Sequence, residues 1–236
     1  MGRIFEKRKV RMFARWSKTA KAFTKVGKEI AIAIKLGGPD PDGNPRLRMA
    51  VQTARGLNMP KERIEAAIKR AAGKDESELQ EVNYSGYAPH GVALVIVSAT
   101  DNPTRTVANV RSALVHGGGS MATGGALDFL FRHVGTFRVK VGPSISLDDL
   151  ELELIDLGLE ELDRSDGEIH LQVEFSKFGT MQRYLEEKKL DVRSAGSQWI
   201  PNSTVELPEE KEAEVRNLIE ELEEDDDVQH VFDNIG

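Results

Sequence analysis

Four lysines at helical spacing near the N-terminus carry the clearest chemical signal in the chain. Lys18, Lys21, Lys25 and Lys28 are three or four residues apart, so on a helix they share one side. Side chains of this kind can follow a phosphate backbone, and each contact releases condensed counterions, which makes binding sensitive to salt. The alternative is a solvated face, but like charges at this spacing repel each other and few acidic residues intervene. The four lysines therefore predict contact with nucleic acid.

The surrounding residues extend the positive charge. Residues 1–74 contain nineteen Lys and Arg against six Asp and Glu, whereas residues 75–236 contain thirteen against thirty-three. The net charge of −7 thus combines a cationic segment with an anionic one. A cationic segment of this size repels itself unless a polyanion neutralises it, and nucleic acid is the commonest such polyanion. The side chains predicted to bind nucleic acid are Lys7, Arg8, Lys9, Arg11, Arg15, Lys18, Lys21, Lys25, Lys28, Arg46, Arg48, Lys69 and Arg70.

Two parts of this set have features of their own. Arg46 and Arg48 lie where a helix is expected to begin, and the positive end of a helix disfavours cations unless an anion is close by. Residues 1–16 mix basic residues with Phe5, Phe13 and Trp16 without apolar periodicity, so we expect a flexible arm that becomes helical on binding. The aromatic side chains of the arm either stack on bases or pack on the helices, and both alternatives stay open.

Signals for catalysis or metal binding are weak. The glycine-rich stretch 117–125 lacks the Gly-Lys-Ser/Thr ending of a phosphate loop and follows a helix, which favours a connector or helix stop. The five His have no metal-ligand spacing, and the absence of Cys excludes disulfides, Cys-ligated zinc and a thiol nucleophile. The acidic runs at 149–153 and 220–227 are expected to be solvated helix faces.

We therefore predict a protein that is not an enzyme and uses no cofactor or metal. A hydrolase or transferase using the glycine-rich loop is the rival, and it requires nucleotide binding.

Composition limits where the protein works. Hydrophobic residues make up 39% of the chain and charged residues 30%, which is ordinary for a protein with packed cores. No apolar segment follows the basic N-terminal residues, as a secretory signal would require, and no apolar run has the length of a membrane span. We expect a cytoplasmic protein without a membrane partner.

The basic residues are expected on three short amphipathic helices. The first begins after Ser17 as N-cap and stops at Gly37-Gly38. The second has Asn44 as cap and Pro45 at its first position, and ends at Gly56. The third opens at Pro60 and stops at Gly73. Each has a modest apolar stripe and a polar side dominated by Lys and Arg, as in a small helical bundle.

Strand periods follow the bundle. Residues 91–100 and 127–131 predict strands on either side of a helix capped by Asp101-Asn102-Pro103. The segment 134–202 has the order βαββαβ of a ferredoxin-like domain. A strand at 203–207, a helix at 209–223 and a strand at 228–232 complete the chain. The predicted fold is α+β: an N-terminal three-helix bundle (residues 1–78) and two ferredoxin-like domains, one discontinuous (79–133 and 203–236) and one inserted in it (134–202).

Short motifs occur along nearly the whole chain. They are Phe23-Thr24-Lys25, Lys28-Glu29-Ile30, Gly37-Gly38-Pro39-Asp40-Pro41, Asn44-Pro45-Arg46-Leu47-Arg48, Asn58-Met59-Pro60-Lys61, Ile64-Glu65-Ala66-Ala67-Ile68-Lys69, Tyr84-Ser85-Gly86-Tyr87-Ala88-Pro89, Thr100-Asp101-Asn102, Arg105-Thr106 and His116-Gly117-Gly118. Together these motifs resemble the YebC/PmpR family, which includes the mitochondrial translational activator of cytochrome oxidase. One departure is the opening: most members begin Gly-His-Ser-Lys-Trp, whereas this chain has Gly2-Arg3-Ile4-Phe5-Glu6-Lys7-Arg8.

The resemblance implies a three-domain cytosolic protein of the kind described as DNA-binding transcriptional regulators. Some members are linked instead to translation on the ribosome, particularly through proline-rich stretches. Duplex DNA is therefore the predicted target, with ribosomal RNA as the alternative. No helix shows an obvious set of base-reading side chains, so sequence specificity does not follow from the chain. The acidic domains are expected to be repelled by further nucleic-acid backbone, and a basic protein is their predicted partner.

Overall fold

The computed structural model describes residues 3–73, 79–123, 125–127, 129–142, 146–165 and 167–236. The side chains of residues 3–18 and of Pro45 lie outside this description. In chain order the helices are α1 (Arg3–Gly37), α2 (Pro45–Gly56), α3 (Lys61–Ala71), α4 (Pro103–His116), α5 (Leu147–Ile155), α6 (Phe178–Glu187) and α7 (Glu209–Glu223). The strands are β1 (Gln80–Tyr87), β2 (Ala93–Thr100), β3 (Ser120–Met121), β4 (Phe131–Lys140), β5 (Leu159–Ser165), β6 (Glu168–Glu174), β7 (Asp191–Pro201) and β8 (Val228–Asp233).

Residues 3–73, called here the helical segment, form a bundle of α1, α2 and α3. Ile30 of α1, Leu47 of α2 and Ile64 of α3 are buried in one apolar cluster. Asn44 caps α2 as predicted, because its side-chain oxygen accepts from the Leu47 amide at 3.1 Å. The amide nitrogen of Asn44 also donates to the carbonyls of Ala33 and Gly38 at 2.7 Å each, which ties the end of α1 to the start of α2.

The N-terminal arm is part of α1, so two predictions were wrong. The helix begins at Arg3 rather than after an N-cap at Ser17, and residues 3–16 are helical within one element of 35 residues. Apolar periodicity is absent from this stretch, but Lys, Arg, Met and Ala have high helix propensity. The backbone therefore continues as a helix roughly 50 Å long at 1.5 Å per residue.

Sheet A has the order β3-β1-β2-β8 with antiparallel neighbours, and α4 and α7 pack on one face. Its core contains Leu94 and Ile96 of β2, Leu114 of α4 and Leu218 of α7. The sequence reading missed β1, whose residues are largely polar and whose face alternates between exposed and buried. As a result, the part of the chain that follows the helical segment begins with a hairpin of β1 and β2.

Two predicted strands of this region are wrong. The described residues of 127–131 form turns before β4 begins at Phe131, and 203–207 contributes only a bridge between Val205 and Ile235. The helix stop at the glycine-rich stretch is confirmed: Gly117 caps α4 and Gly118 has a φ of +75°. A Cβ at Gly119 would lie 2.3 Å from the Tyr87 carbonyl oxygen, so only glycine fits between α4 and β1.

Sheet B has the order β5-β6-β4-β7, again with antiparallel neighbours. This is the strand order of a ferredoxin-like fold, with α5 and α6 packed on one face around Phe137, Leu154 and Leu185. The mixed α+β class, with N-terminal helices and two antiparallel sheets, is confirmed. Among the described residues, no helix is long and apolar enough to cross a membrane.

Candidate nucleic-acid interface

Lys21, Lys25 and Lys28, called here the lysine face, share one side of α1 as their spacing predicts. All three ammonium groups donate to residues 223–227, called here the α7 end. Lys21 Nζ lies 3.1 Å from the Glu224 carbonyl oxygen, and Lys25 Nζ lies 2.9 Å from that of Glu223. Lys28 Nζ lies 2.9 Å from the Asp226 carbonyl and 3.1 Å from the Ala99 carbonyl. The structure thus places the lysine face against an anionic part of the same chain.

The end of α7 explains this contact. The last carbonyls of an α-helix have no partner within the helix, and the helix dipole makes that end negative. Lysine side chains commonly satisfy such carbonyls. Here the lysines come from a helix about two hundred positions away in sequence. They donate hydrogen bonds to the last carbonyl of α7 and to carbonyls of the residues between α7 and β8.

Asp227 is the centre of the contact. Its carboxylate accepts from Lys28 at 2.5 Å and from Arg105 and Thr106 at 2.8 Å each. Burial opposes ionisation of this carboxyl, but the hydrogen bonds from Lys28, Arg105 and Thr106 outweigh it and lower the pKa of Asp227 to about 2. These hydrogen bonds connect α1, α4 and the start of β8 through one buried anion.

Sequence reasoning missed Asp227 and Arg105. The acidic run 220–227 was expected to be a solvated helix face, which is wrong at its last member because Asp227 is only 5% exposed. One sequence signal was available: Asp227 directly precedes the apolar residues of β8, where a side chain can enter the core. The cap Asn102 was predicted, and it accepts from the Arg105 amide at 3.0 Å.

A cleft of about 1150 Å³ lies beside this contact, between the helical segment and sheet A. One wall comes from α1 and α3 and carries Phe23, Arg63 and Arg70. The other wall consists of Asp101, which precedes α4, Asn109 of α4 and residues 224–227 of the α7 end. The cleft therefore has a cationic wall facing an anionic one.

Arg46 and Arg48 both meet carboxylates of their own chain. Arg46 donates to Glu29 at 2.8 Å and to Glu81 at 2.5 Å, and these partners outweigh burial and raise its pKa. Arg48 forms an ion pair with Glu186 of α6. The anions expected at the start of α2 are thus supplied within the chain.

Some cations of the helical segment have no carboxylate partner within the described ranges. Among the described residues, Arg55, Lys69 and Arg70 form no ion pair or side-chain hydrogen bond, and all three are exposed. Arg63 lies over the Phe23 ring with its guanidinium carbon 5.9 Å from the ring centroid. Lys69 and Arg70 were predicted as site residues, whereas Arg55 and Arg63 were not.

The rest of the predicted set cannot be placed as side chains. Six of its members lie in the part of α1 whose side chains are outside the described residues, and so do the aromatic residues of the predicted arm. The six basic members are Lys7, Arg8, Lys9, Arg11, Arg15 and Lys18.

No group of His, Asp or Glu suited to a metal ion occurs in the described ranges.

Fold and charge together define a class: an α+β protein whose cationic N-terminal helices contact an anionic, two-sheet remainder. The chain matches two family models, the TACO1/YebC protein N-terminal domain over residues 3–74 and the TACO1/YebC second and third domain over residues 79–235. The chain belongs to the TACO1/YebC family.

Relatives named "probable transcriptional regulatory protein" align over the full length of this chain. One from Anaeromyxobacter dehalogenans is 52% identical and fully covered, and one from Parabacteroides distasonis is 50% identical with 97% of its length covered. The crystal structure of a conserved hypothetical protein from Aquifex aeolicus shares the fold with a TM-score of 0.73 at 36% identity, covering 92% of this chain and 90% of that one.

Proposed function

We propose that this protein is a non-enzymatic, DNA-binding transcriptional regulator of the cytoplasm that binds through its basic N-terminal helical domain. The names of its relatives support the regulatory role. The observation that carries the binding proposal is the set of exposed cations on α2 and α3, Arg55, Lys69 and Arg70, which lack carboxylate partners among the described residues. Unpaired cations on one small bundle are suited to phosphate groups.

The proposed binding is mostly electrostatic. Phosphate contacts fix how a protein lies on nucleic acid but carry no base information. The acidic remainder of the chain repels a second stretch of backbone, so it restricts the orientation of the bound protein. A basic protein is the partner that would suit this anionic part, and no cofactor or metal enters the proposal.

Ribosomal RNA is the second candidate target, and the bipolar charge favours it. Long duplex DNA presents a uniform polyanion to the whole protein, including the thirty-three Asp and Glu of residues 75–236. A ribonucleoprotein surface contains both phosphates and basic proteins, so it can accept both halves of this chain. In this reading the protein assists translation.

The binding proposal is tested in the full chain by replacing Arg55, Lys69 and Arg70 with Ala. We expect the affinity for both DNA and RNA to fall in gel-shift titrations, and the slope of log K against log salt to flatten by about 0.7–0.9 per lost contact. Unchanged affinity and slope would remove this surface from the interface.

A charge-matched control comes from the anionic part of the chain. Replacing Arg111, Lys140 and Lys211 with Ala removes the same charge from exposed positions that also form no ion pair among the described residues. We expect this variant to bind nearly as the unmodified protein does.

The two targets are separated by crosslinking in cells followed by sequencing of both nucleic acids. Promoter peaks in DNA support the regulator, whereas enrichment over ribosomal RNA without promoter peaks supports the translation factor and rejects the regulator. A thermal-shift scan with nucleotides tests the enzymatic rival, since a hydrolase or transferase would be stabilised by its substrate.

A further inference from the structure

The lysine face is already occupied by acceptors that resemble a phosphate backbone. The carbonyl oxygens of Glu223, Glu224 and Asp226 and the carboxylate of Asp227 take the hydrogen bonds that phosphate oxygens would take. Burial lowers the pKa of Lys25, with Lys21 adding to the effect, while nearby acids of the α7 end oppose it. Residues 223–227 lie directly against these ammonium groups, and all five are Glu or Asp, so they both cover the lysine face and repel an approaching phosphate. Nucleic acid and the α7 end therefore compete for the lysine face.

The contact between the helical segment and sheet A is polar, which makes it separable. The buried apolar cluster of the helical segment contains only residues between 26 and 64, and the main buried cluster of sheet A contains none of them. The two bodies are joined at this point by charged hydrogen bonds beside an open cleft. Such contacts are weakened by a competing polyanion and by salt, whereas an apolar core is not.

We propose that the α7 end is an autoinhibitory element, an intramolecular polyanion that masks the lysine face until nucleic acid displaces it. This inference rests on the proposed function, because it names how the same binding site is regulated. In the closed arrangement the phosphate backbone meets exposed cations such as Lys69 and Arg70, which form no ion pair among the described residues, while the lysine face stays covered. In the open arrangement the lysine face adds its own contacts, so affinity and salt dependence both increase.

A crosslink tests the proposal in the full chain. The sequence has no Cys, so Thr24→Cys with Asn109→Cys places a unique thiol pair on opposite walls of the cleft. A short bis-maleimide locks the closed arrangement, and the same variant capped with N-ethylmaleimide is the control. We expect the locked protein to bind DNA or RNA at least about fivefold more weakly. We also expect its salt slope to be smaller by about two units.

Each outcome of the crosslink experiment has one meaning. Equal affinity and slope of the locked and capped proteins would overturn the autoinhibitory contact and leave the proposed function intact. Absence of binding by both the capped protein and the unmodified chain would overturn the proposed function, and the inference with it.

A second variant tests the competition without blocking the cleft. Glu223→Gln with Asp226→Asn removes two charges that act on Lys25 but make no side-chain hydrogen bond among the described residues. Glu209→Gln with Glu210→Gln removes the same charge from the other end of α7. We expect the first pair to bind nucleic acid about threefold more tightly than the second. Equal affinities of the two pairs would contradict the proposal.

Discussion

The Lys28 ammonium donates to the Asp227 carboxylate at 2.5 Å, joining residues 199 positions apart. The pair links α1 to the residue that directly precedes β8, and the Asp227 side chain is only 7% exposed. Removing Lys28 would leave the buried Asp227 carboxylate with only Arg105 and Thr106 as donors, and a buried charge that loses a charged partner is destabilising. The contact therefore couples the position of the helical segment to the stability of sheet A.

Stability in acid should depend on Asp227. Its folded-state pKa of about 2 lies below its usual 3.8, so the ionised carboxylate stabilises the fold above pH 4. That contribution, about 2 kcal/mol, is lost as the pH falls from about 4 to about 2. We expect Asp227→Asn to lower the free energy of unfolding at pH 7 and to flatten its acid dependence, measured by urea denaturation at each pH.

The control for this measurement is Asp42→Asn. Asp42 is exposed, and its carboxylate makes no hydrogen bond among the described residues. This variant should keep the acid dependence of the unmodified chain. If Asp227→Asn kept the acid profile of the unmodified chain, its neighbours would not lower the pKa of Asp227, and the prediction would be wrong.

Reversing charge on the lysine face should weaken nucleic-acid binding without regard to sequence. Lys21→Glu with Lys25→Glu removes two cations, so the salt slope should fall by roughly two units, about 0.7–0.9 per lost contact. The affinity should drop uniformly across DNA and RNA sequences in fluorescence titrations. A loss confined to one sequence, or an unchanged slope, would take the lysine face out of the interface.

Arg46 should contribute to stability rather than to binding. Its guanidinium bridges Glu29 of α1 and Glu81 of β1, so Arg46→Met leaves two carboxylates facing each other. We expect a loss of about 1–3 kcal/mol in the free energy of unfolding, measured with urea.

The matched control for Arg46 is Arg55→Met, at an exposed position of the same helix without an ion pair among the described residues. It should change stability by less than about 0.5 kcal/mol. Equal effects of the two variants would contradict the bridging role of Arg46.

Gly119 should tolerate no side chain. An added Cβ would lie 2.3 Å from the Tyr87 carbonyl oxygen, so Gly119→Ala forces α4 away from β1. We expect a loss of about 2–4 kcal/mol, seen as a lower thermal midpoint. Gly196→Ala is the control, since nothing lies within 4 Å of an added Cβ there. Comparable midpoints for the two variants would contradict the close packing.

Local sequence signals predicted most elements and missed those whose residues carry no local signal. The Asn44 cap and the Gly117 helix stop follow from residue types that satisfy or end a helix by themselves, and both are confirmed. Strand β1 was missed because its residues are mostly polar, and only pairing with β2 makes it a strand. The missing apolar periodicity of residues 3–16 predicts a flexible arm, and this prediction is wrong because the high helix propensity of Lys, Arg, Met and Ala extends α1 through this stretch.

Residue spacing alone predicts that Lys21, Lys25 and Lys28 share one side of a helix, because an α-helix has 3.6 residues per turn. That this side meets the α7 end, including Asp227, follows from packing between parts of the chain that are far apart in sequence. Spacing within an element sets which side chains lie together, whereas the acceptors opposite them come from residues some two hundred positions away and are positioned by the packing of α4 and α7 on sheet A, of which β8 is an edge strand.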